Sequence, residues 1–202
     1  MAGHRVIAIT AASVLIGAGV ARAQDPAHDL AVLNGTTFSS GQGRLAVNAA
    51  AGLNNQQANV AVVAQGGTTV GAVALIQFLE DSDGSGERRM SALITDGAFA
   101  NSSGLIAVNV AAGADNQQGN LALLSVSGIG GAIADKILSQ TRATRDPATT
   151  ATDTFEAAAG HTVRSPDAFE NSAGVVQLSI IGGERNSSSN LFALTVQGGA
   201  NP

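Results

Sequence analysis

The sequence predicts an all-β protein in which three strand-turn-strand repeats stack as a β-solenoid or a cross-β layer structure. A 34-residue unit occurs three times, at residues 31–64, 92–125 and 162–195. Inside each repeat, apolar residues alternate with small or polar ones at a period of two, which is typical of strands. The chain has no cysteine and only 3% aromatic residues. Thin layers joined by backbone hydrogen bonds therefore suit it better than a thick globular core.

The three repeats agree at five positions in register. Repeats 1 and 2 are identical at 14 of 34 aligned positions without a gap, whereas repeat 3 is more divergent. Agreement at fixed offsets is the signature of a repeat architecture, so we expect the three units to be structurally equivalent. The shared positions are one aromatic residue, two glycines and two asparagines: Phe38/Phe99/Phe169, Gly43/Gly104/Gly174, Gly52/Gly113/Gly183, Asn55/Asn116/Asn186 and Asn59/Asn120/Asn190.

Each repeat predicts a strand with one dry face, a turn and a second strand. In repeat 1, Leu45, Val47 and Ala49 share the dry face, and Asn48 lies on the opposite face. The polar run 52–57 has the Gly and Asn chemistry of a turn that needs positive φ. The second strand is predicted over 60–64, 121–125 and 191–195.

Stacked strands would place like amides above one another as hydrogen-bonded ladders, about 4.8 Å apart. Asn48 and Asn109 lie mid-strand, where Asn is normally disfavoured, so a ladder is the favoured interpretation there. For Asn54 and Asn55, a simple water-exposed turn remains the alternative. The shared glycines are predicted to let the chain reverse. The predicted self-assembly amides are Asn48, Asn55, Gln56, Gln57, Asn59, Asn109, Asn116, Gln117, Gln118, Asn120, Asn186 and Asn190.

The N-terminus predicts an export signal peptide over residues 1–23. A charged start precedes the apolar stretch 6–20, and residues 21–23 match a small-x-small cleavage site. A membrane anchor is the alternative, but this stretch is shorter than the roughly 20 residues of a membrane span. No later segment predicts a transmembrane helix. Residues 24–30 are then an N-terminal lead, and residues 196–202 are a C-terminal tail.

Two linkers of different character, 65–91 and 126–161, are predicted between the repeats. Residues 70–79 could form a strand or a short helix. In the second linker, Ile129, Ile133 and Ile137 have helical spacing. The Thr- and Ala-rich run that follows, 141–154, is predicted to be flexible. The unequal lengths predict modules joined by variable spacers.

Charge and residue content argue against several function classes. Loss of residues 1–23 removes two arginines and no acidic residue, so the formal charge falls from −5 to −7, which disfavours nucleic acid as a partner. Only His28 and His161 remain as histidines, and both are predicted to be solvated loop residues. The acidic loop 80–87 lacks the ligand pattern of an EF-hand, so a solvated turn is favoured over a calcium site. No active site, cofactor or metal site is predicted.

Two sequence patterns resemble the repeat of the Fap-type functional amyloids of biofilm-forming bacteria. Residues 47–52 (VNAAAG) and 55–59 (NQQAN) carry the resemblance in repeat 1, and residues 108–113 (VNVAAG) and 116–120 (NQQGN) carry it in repeat 2. The three imperfect repeats, the unequal linkers and the signal peptide are similar to that family as well. The resemblance implies a secreted subunit that polymerises, with itself and with related fibre subunits, into cross-β, amyloid-like fibres. It also implies export through a dedicated outer-membrane pore.

Repeat 3 departs from this pattern. Residues 178–183 read LSIIGG, and Ser187 and Ser188 stand where the other repeats have paired glutamines. The cysteine pair expected near the C-terminus of a major subunit is absent from the chain. A major subunit and a minor, nucleating subunit therefore both remain open.

Two functions follow from these patterns. The first is an extracellular structural protein, a fibre subunit at the cell surface or outer membrane that supports biofilm formation and adhesion. The alternative is a monomeric β-solenoid adhesin or anchor, which binds a surface glycan or holds another adhesive at the outer membrane.

Overall fold

The computed structural model describes residues 27–36, 38–66, 70–72, 75–79, 88–127, 132–134, 138–142 and 160–197. These residues form strands and turns and no helix, so the prediction of an all-β protein is confirmed. The strands are β1 (Ala27–Leu33), β2 (Gln42–Leu53), β3 (Gln56–Gly66), β4 (Val70–Ala72), β5 (Leu75–Leu79), β6 (Arg88–Ile94), β7 (Ser103–Ala114), β8 (Gln117–Ser127), β9 (Ala132–Ala134), β10 (Leu138–Arg142), β11 (Gly160–Arg164), β12 (Ala173–Gly182) and β13 (Ser187–Gln197).

Equivalent strands of the three repeats pair with one another in parallel. Within the described part of the chain, three sheets have three strands each, in the orders β1-β6-β11, β12-β7-β2 and β13-β8-β3. In all three, the strand from repeat 2 lies in the middle. Two smaller sheets pair β4 with β9 and β5 with β10. Parallel pairing needs long connections between partners, and here a whole repeat supplies each connection.

The register joins residues that occupy the same position in each repeat. Asn48 pairs with Asn109, and Asn109 pairs with Ser179. The sequence separation is 61 residues between repeats 1 and 2 and 70 residues between repeats 2 and 3. These separations hold in all three large sheets. Because a slip of one residue would turn every side chain to the other face, this common register fixes which side chains meet.

The main core lies between the sheet of β1, β6 and β11 and the sheet of β2, β7 and β12. Ile106, Val108 and Val110 of β7 are fully buried, and they pack in one cluster with Met90 and Ile94 of β6. The face of the first predicted strand expected to be dry is therefore dry in the middle repeat. The strands β1, β6 and β11 that cover it were not predicted.

The opposite face of β7 is buried too. Ala107 is 4% exposed and Asn109 is fully buried, because β8 lies against this face. The prediction of one dry face was thus incomplete for the middle repeat. The predicted turn 52–57 was also too long. The backbone N–H of Gln56 donates to Asn116 O at 2.8 Å, so pairing begins at Gln56 and leaves only Asn54 and Asn55 between the strands.

Both segments predicted as linkers contain strands that pair with each other. The segment 70–79 contains β4 and β5, so of the two alternatives, strand and short helix, the strand is correct. The helical spacing in the second linker is wrong at Ile133, because this residue lies in β9 and pairs with Gly71. Ile129 and Ile137 lie outside the described residues. Pairing with the extended strand β4 satisfies the backbone hydrogen-bonding groups of β9. The spacing of the isoleucines carries no information about such a partner.

Two further predictions, the flexible run 141–154 and the loop position of the histidines, differ from the structure. Thr141 and Arg142, at the start of the run predicted to be flexible, belong to β10, and residues 143–154 lie outside the described residues. His161 lies in β11 and pairs with Ser91, so it is a strand residue and not a loop residue. His28 lies in β1. Both histidines are exposed, as predicted.

The three repeat phenylalanines form one continuous stack. The Phe38 and Phe99 ring centroids are 5.2 Å apart with an interplanar angle of 12°, and those of Phe99 and Phe169 are 4.9 Å apart at 5°. Phe99 is fully buried. The φ angles of the three residues are 63°, 65° and 67°, which is an uncommon backbone region for bulky residues. Ring stacking and burial offset that backbone cost.

Phe99→Ala should lower the free energy of unfolding of the monomeric chain by about 3–5 kcal/mol, because it removes the central ring of the stack. Urea denaturation followed by far-UV circular dichroism measures this change. Phe78→Ala is the matched control, because Phe78 is 57% exposed and its loss should change stability by about 0.5 kcal/mol or less. Equal effects of the two substitutions would contradict a structural role for the stack.

Candidate self-assembly surfaces

A buried amide at the centre of the stack joins two sheets. Asn109 Nδ2 donates to Asn48 Oδ1 at 3.0 Å, to Asn59 Oδ1 at 3.0 Å and to Ala58 O at 3.1 Å. Its own Oδ1 accepts from Asn120 Nδ2 at 2.9 Å. Asn109 is fully buried, so these hydrogen bonds replace the water it loses. The polar face of β7 is thus a satisfied network inside the protein.

Asn59, Asn120 and Asn190 form a ladder across all three repeats. Asn120 Nδ2 donates to Asn59 Oδ1 at 2.8 Å, and Asn190 Nδ2 donates to Asn120 Oδ1 at 2.8 Å. Each amide also donates to a backbone carbonyl of the facing strand: Val47 O, Val108 O and Leu178 O, respectively. One column of side chains therefore joins the repeats along the stack and joins two sheets across it.

Asn55, Asn116 and Asn186 form a second ladder at the turn between the strands. Asn116 Nδ2 donates to Asn55 Oδ1 at 3.0 Å, and Asn186 Nδ2 donates to Asn116 Oδ1 at 3.1 Å. Beside this ladder, Asn54 Nδ2 donates to Asp115 Oδ1 at 2.8 Å. The side chains of Asn54 and Asn55 thus contact the next repeat, which a water-exposed turn alone would not require.

The glutamine ladder runs through two repeats and ends on hydroxyl groups in the third. Gln57 Nε2 donates to Gln118 Oε1 at 2.6 Å, and Gln118 Nε2 donates to Ser179 Oγ at 2.9 Å. Ser179 Oγ in turn donates to Ser188 Oγ at 2.9 Å. These two serines were not among the predicted self-assembly residues. Their register with Asn109 and Gln118 was the signal that could have identified them.

Gln56 and Gln117 make the weakest of the predicted amide contacts. Gln117 Nε2 lies 3.5 Å from Gln56 Oε1, which is the limit of a hydrogen bond. Gln56 Nε2 donates instead to Phe78 O of β5 at 2.6 Å. This amide therefore holds β5 against the stack more than it joins the repeats.

All twelve predicted amides lie on β2, β3, β7, β8 and β13 or in the turns beside them.

The shared glycines permit close contact between repeats, and most of them lie within strands and not in turns. A Cβ on Gly104 would lie 2.0 Å from Gly43 O, and a Cβ on Gly174 would lie 2.1 Å from Gly104 O. In the other column the direction is reversed: a Cβ on Gly113 would lie 2.0 Å from Gly183 O. These glycines have positive φ. A side chain at Gly104, Gly113 or Gly174 would force neighbouring repeats apart.

An ion-pair cluster at the start of β6 joins β1, β6 and the turn after β12. Arg88 Nη1 lies 3.0 Å from Asp29 Oδ2 of β1, and Arg88 Nε lies 4.0 Å, the limit of an ion pair, from Glu184 Oε1 of repeat 3. The side chains of Arg88 and Asp29 are 14% and 10% exposed, so water screens this pair only in part. This cluster was not predicted, because Asp29 fell in the predicted N-terminal lead and Arg88 fell in a predicted linker.

A turn residue in repeat 3 has a lowered pKa. The Ser165 hydroxyl donates to the Asp167 carboxylate, which lowers the pKa of Asp167 below its ordinary value of 3.8. A depressed pKa stabilises the folded chain above that ordinary value, and the contribution is lost as the pH falls through the lowered pKa. Asp167 is fully exposed, so solvent screens this effect.

The described part of the chain holds no group of three or more potential metal ligands from His, Cys, Asp and Glu. The acidic loop 80–87 lies outside it. The same described residues contain no helix long and apolar enough to span a membrane.

Comparison with known protein families identifies the chain. A model of the functional amyloid protein FapB/FapC family matches residues 12–197. The chain belongs to this family. No solved structure matches it. The match extends well beyond the repeats that carried the resemblance and includes both segments predicted as linkers. A functional amyloid family is a family of structural proteins, and its members are extracellular fibre subunits. The amide ladders and the glycine columns of this FapB/FapC family member are therefore candidate self-assembly features.

Asn109→Ala should lower the free energy of unfolding of the monomeric chain by about 2–3 kcal/mol, because it removes the four hydrogen bonds that this buried side chain makes. Urea denaturation measures the loss. Gln65→Ala is the control, because Gln65 is an exposed strand amide in β3 and its removal should change stability by about 0.5 kcal/mol or less. A change of similar size in both variants would mean that the buried ladder adds nothing to stability.

Proposed function

We propose that the chain is an exported fibre subunit that polymerises end to end, with repeat 3 of one chain stacked on repeat 1 of the next. The product is a continuous cross-β solenoid at the cell surface. The observation that carries the proposal is the parallel, in-register pairing of three equivalent repeats. The same parallel, in-register pairing that joins repeats within a chain can also join the end repeats of two chains.

The two ends of the stack offer strand edges for this addition. Within the described residues, β1, β2 and β3 pair only on the side of repeat 2, and so do β11, β12 and β13. β2 has 12 residues and β13 has 11, so both edges are long. An unpaired edge of this length is a template for another strand. Templated strand addition is therefore the proposed mechanism.

The outermost glycine at each end supports the direction of stacking. A Cβ on Gly43, in repeat 1, would meet no atom of the chain within 4 Å, and a Cβ on Gly183, in repeat 3, would meet only Asn186 Nδ2 at 3.0 Å. The equivalent glycines inside the stack face a carbonyl of the next repeat. When repeat 3 lies on repeat 1 of a neighbour, Gly183 faces Gly52 of that neighbour. Gly43 then faces Gly174. In the fibre, the outer glycines therefore lie as close to a carbonyl of the neighbouring repeat as the inner glycines do within one chain.

The same arrangement continues the polar and aromatic columns across the junction. Asn190 lies over Asn59 of the next chain, and Phe169 lies over its Phe38. At two positions, Ser179 and Ser188 of repeat 3 face Asn48 and Gln57 of the neighbour. The junction therefore has hydroxyl-amide pairs at these two positions, as the contact between repeats 2 and 3 does, whereas the contact between repeats 1 and 2 has amide pairs. Identical chains are the first partner, and related subunits with the same amide pattern are the second.

The biological role follows from family membership together with this geometry. We place the mature chain, residues 24–202, outside the cell after export through an outer-membrane pore. There it forms fibres that support biofilm formation and surface adhesion. Fibre diffraction and thioflavin binding of the purified mature chain test the proposal. We expect fibres with a reflection near 4.7 Å along the fibre axis. A chain that stays monomeric for days at high concentration would refute the proposal and favour the adhesin alternative.

Gly43→Ala should slow fibre elongation at least tenfold while leaving the monomer folded, because its methyl group meets no atom of its own chain within 4 Å and would face Gly174 of the next chain. Seeded thioflavin kinetics measure elongation, and circular dichroism checks the monomer. Gly35→Ala is the matched control for positive φ, because Gly35 has φ 64° and its equivalent in repeat 2, Asp96, carries a side chain at φ 57°. Equal elongation rates for the two variants would rule out stacking of Gly43 on a neighbouring chain.

A further inference from the structure

The sheet of β5 and β10 has one strand fewer than the sheet beneath it. β5 pairs with β10 in parallel from Leu75↔Leu138 to Leu79↔Arg142, and no third described strand joins them. The underlying sheet contains β3, β8 and β13. β5 contacts β3 and β8, whereas β10 contacts β8 and β13. A strand position next to β10, above the outer edge of repeat 3, therefore has no occupant among the described residues.

The underlying residues show what this position lacks. Leu121 and Leu123 of β8 are each 1% exposed, and Leu75 of β5 packs against them. Val60, the equivalent residue in repeat 1, is partly buried in the same cluster. Leu191, the equivalent residue in repeat 3, is 49% exposed. Repeats 1 and 3 both lie at an end of the stack, so position in the stack does not explain why Leu191 is more exposed than Val60. The difference is that β5 contacts β3, whereas no described strand takes the equivalent position over repeat 3.

We propose that this position binds one extended strand from a second, related fibre subunit, because the described strands of an identical chain already have their places in the stack. The proposal rests on the end-to-end stacking proposed above. Such stacking places β5 of the next chain two strand spacings from β10, about 9.6 Å away. One strand fits this gap, and its backbone pairs with β10 on one edge and with the neighbour's β5 on the other. Leu191 and Val60 of the next chain form the floor, so each junction between chains completes one site.

The chemistry of β5 indicates what the site recognises. Leu75 faces the apolar cluster, and Gln77 is 7% exposed, with Nε2 donating to Gln118 O at 3.2 Å. Ile76 and Phe78 point away and are 76% and 57% exposed. A matching ligand is an extended segment with an aliphatic residue toward Leu191 and an amide two residues later. Recognition by strand addition takes affinity from the backbone and specificity from such alternate side chains.

A synthetic peptide with the sequence of residues 70–80 is the probe. We expect it to bind preformed fibres at one peptide per chain, measured by the anisotropy of a terminal fluorophore, and a scrambled peptide to bind at least tenfold more weakly. Leu191→Ser should weaken binding about tenfold, because it removes most of the apolar floor. Leu194→Ser is the matched control, since Leu194 is 42% exposed in the same strand but on the opposite face, and binding should not change.

Several outcomes would overturn the inference. They are equal binding of the scrambled peptide, equal loss in both leucine variants, or binding in proportion to fibre ends and not to chains. Binding to the soluble chain, where β10 offers one edge, is measured in parallel. If fibres never form, the stacking proposal fails by itself. Sequence-specific binding to the soluble chain then supports the site, and absence of binding there refutes it.

Discussion

Backbone pairing between equivalent strands is the interaction on which the rest of the structure depends. Once β2, β7 and β12 pair in parallel and in register, every residue lies about 4.8 Å from its equivalent in the next repeat. Amides then meet amides, rings meet rings, and glycine becomes necessary where two backbones approach most closely. With little aromatic surface and no disulfide to stabilise it, the chain relies on this repetition of small, matched contacts.

The sequence predicts the contacts along the stack better than the contacts across it. Identical residues at fixed offsets revealed the columns of Phe99, Asn109 and Asn120, because stacking requires no information beyond the repeat itself. The strands β1 and β6 were missed because the residues that form them differ: Asp29 pairs with Met90. The strand at Ile133 was missed for a related reason. Its extended conformation depends on a partner in a dissimilar segment, and local periodicity carries no trace of that partner.

Repeat 2 differs from its neighbours in what surrounds it. Asn109, Asn116, Gln118 and Asn120 are fully buried, whereas the equivalent amides of repeats 1 and 3 are partly or largely exposed. Ser179, the equivalent of Asn109 in repeat 3, is 5% exposed. An amide with two neighbours has every hydrogen-bonding group occupied, and an amide at an end keeps one side open. The end repeats therefore combine two requirements, because each must pack against the middle repeat and still present groups that another chain can use. The serines of repeat 3 satisfy the inner requirement with hydroxyl groups.

The amide ladders also give the stack a dipole along its axis. In the columns of Asn59 and Asn55, each donor in a later repeat points to an acceptor in an earlier repeat. The column of Gln57, Gln118 and Ser179 runs the opposite way. Hydrogen bonds aligned in series polarise one another. Each asparagine column therefore has a dipole that grows with the number of repeats, and the antiparallel glutamine column offsets part of it. A long stack is thereby kept from accumulating the full field of its asparagines.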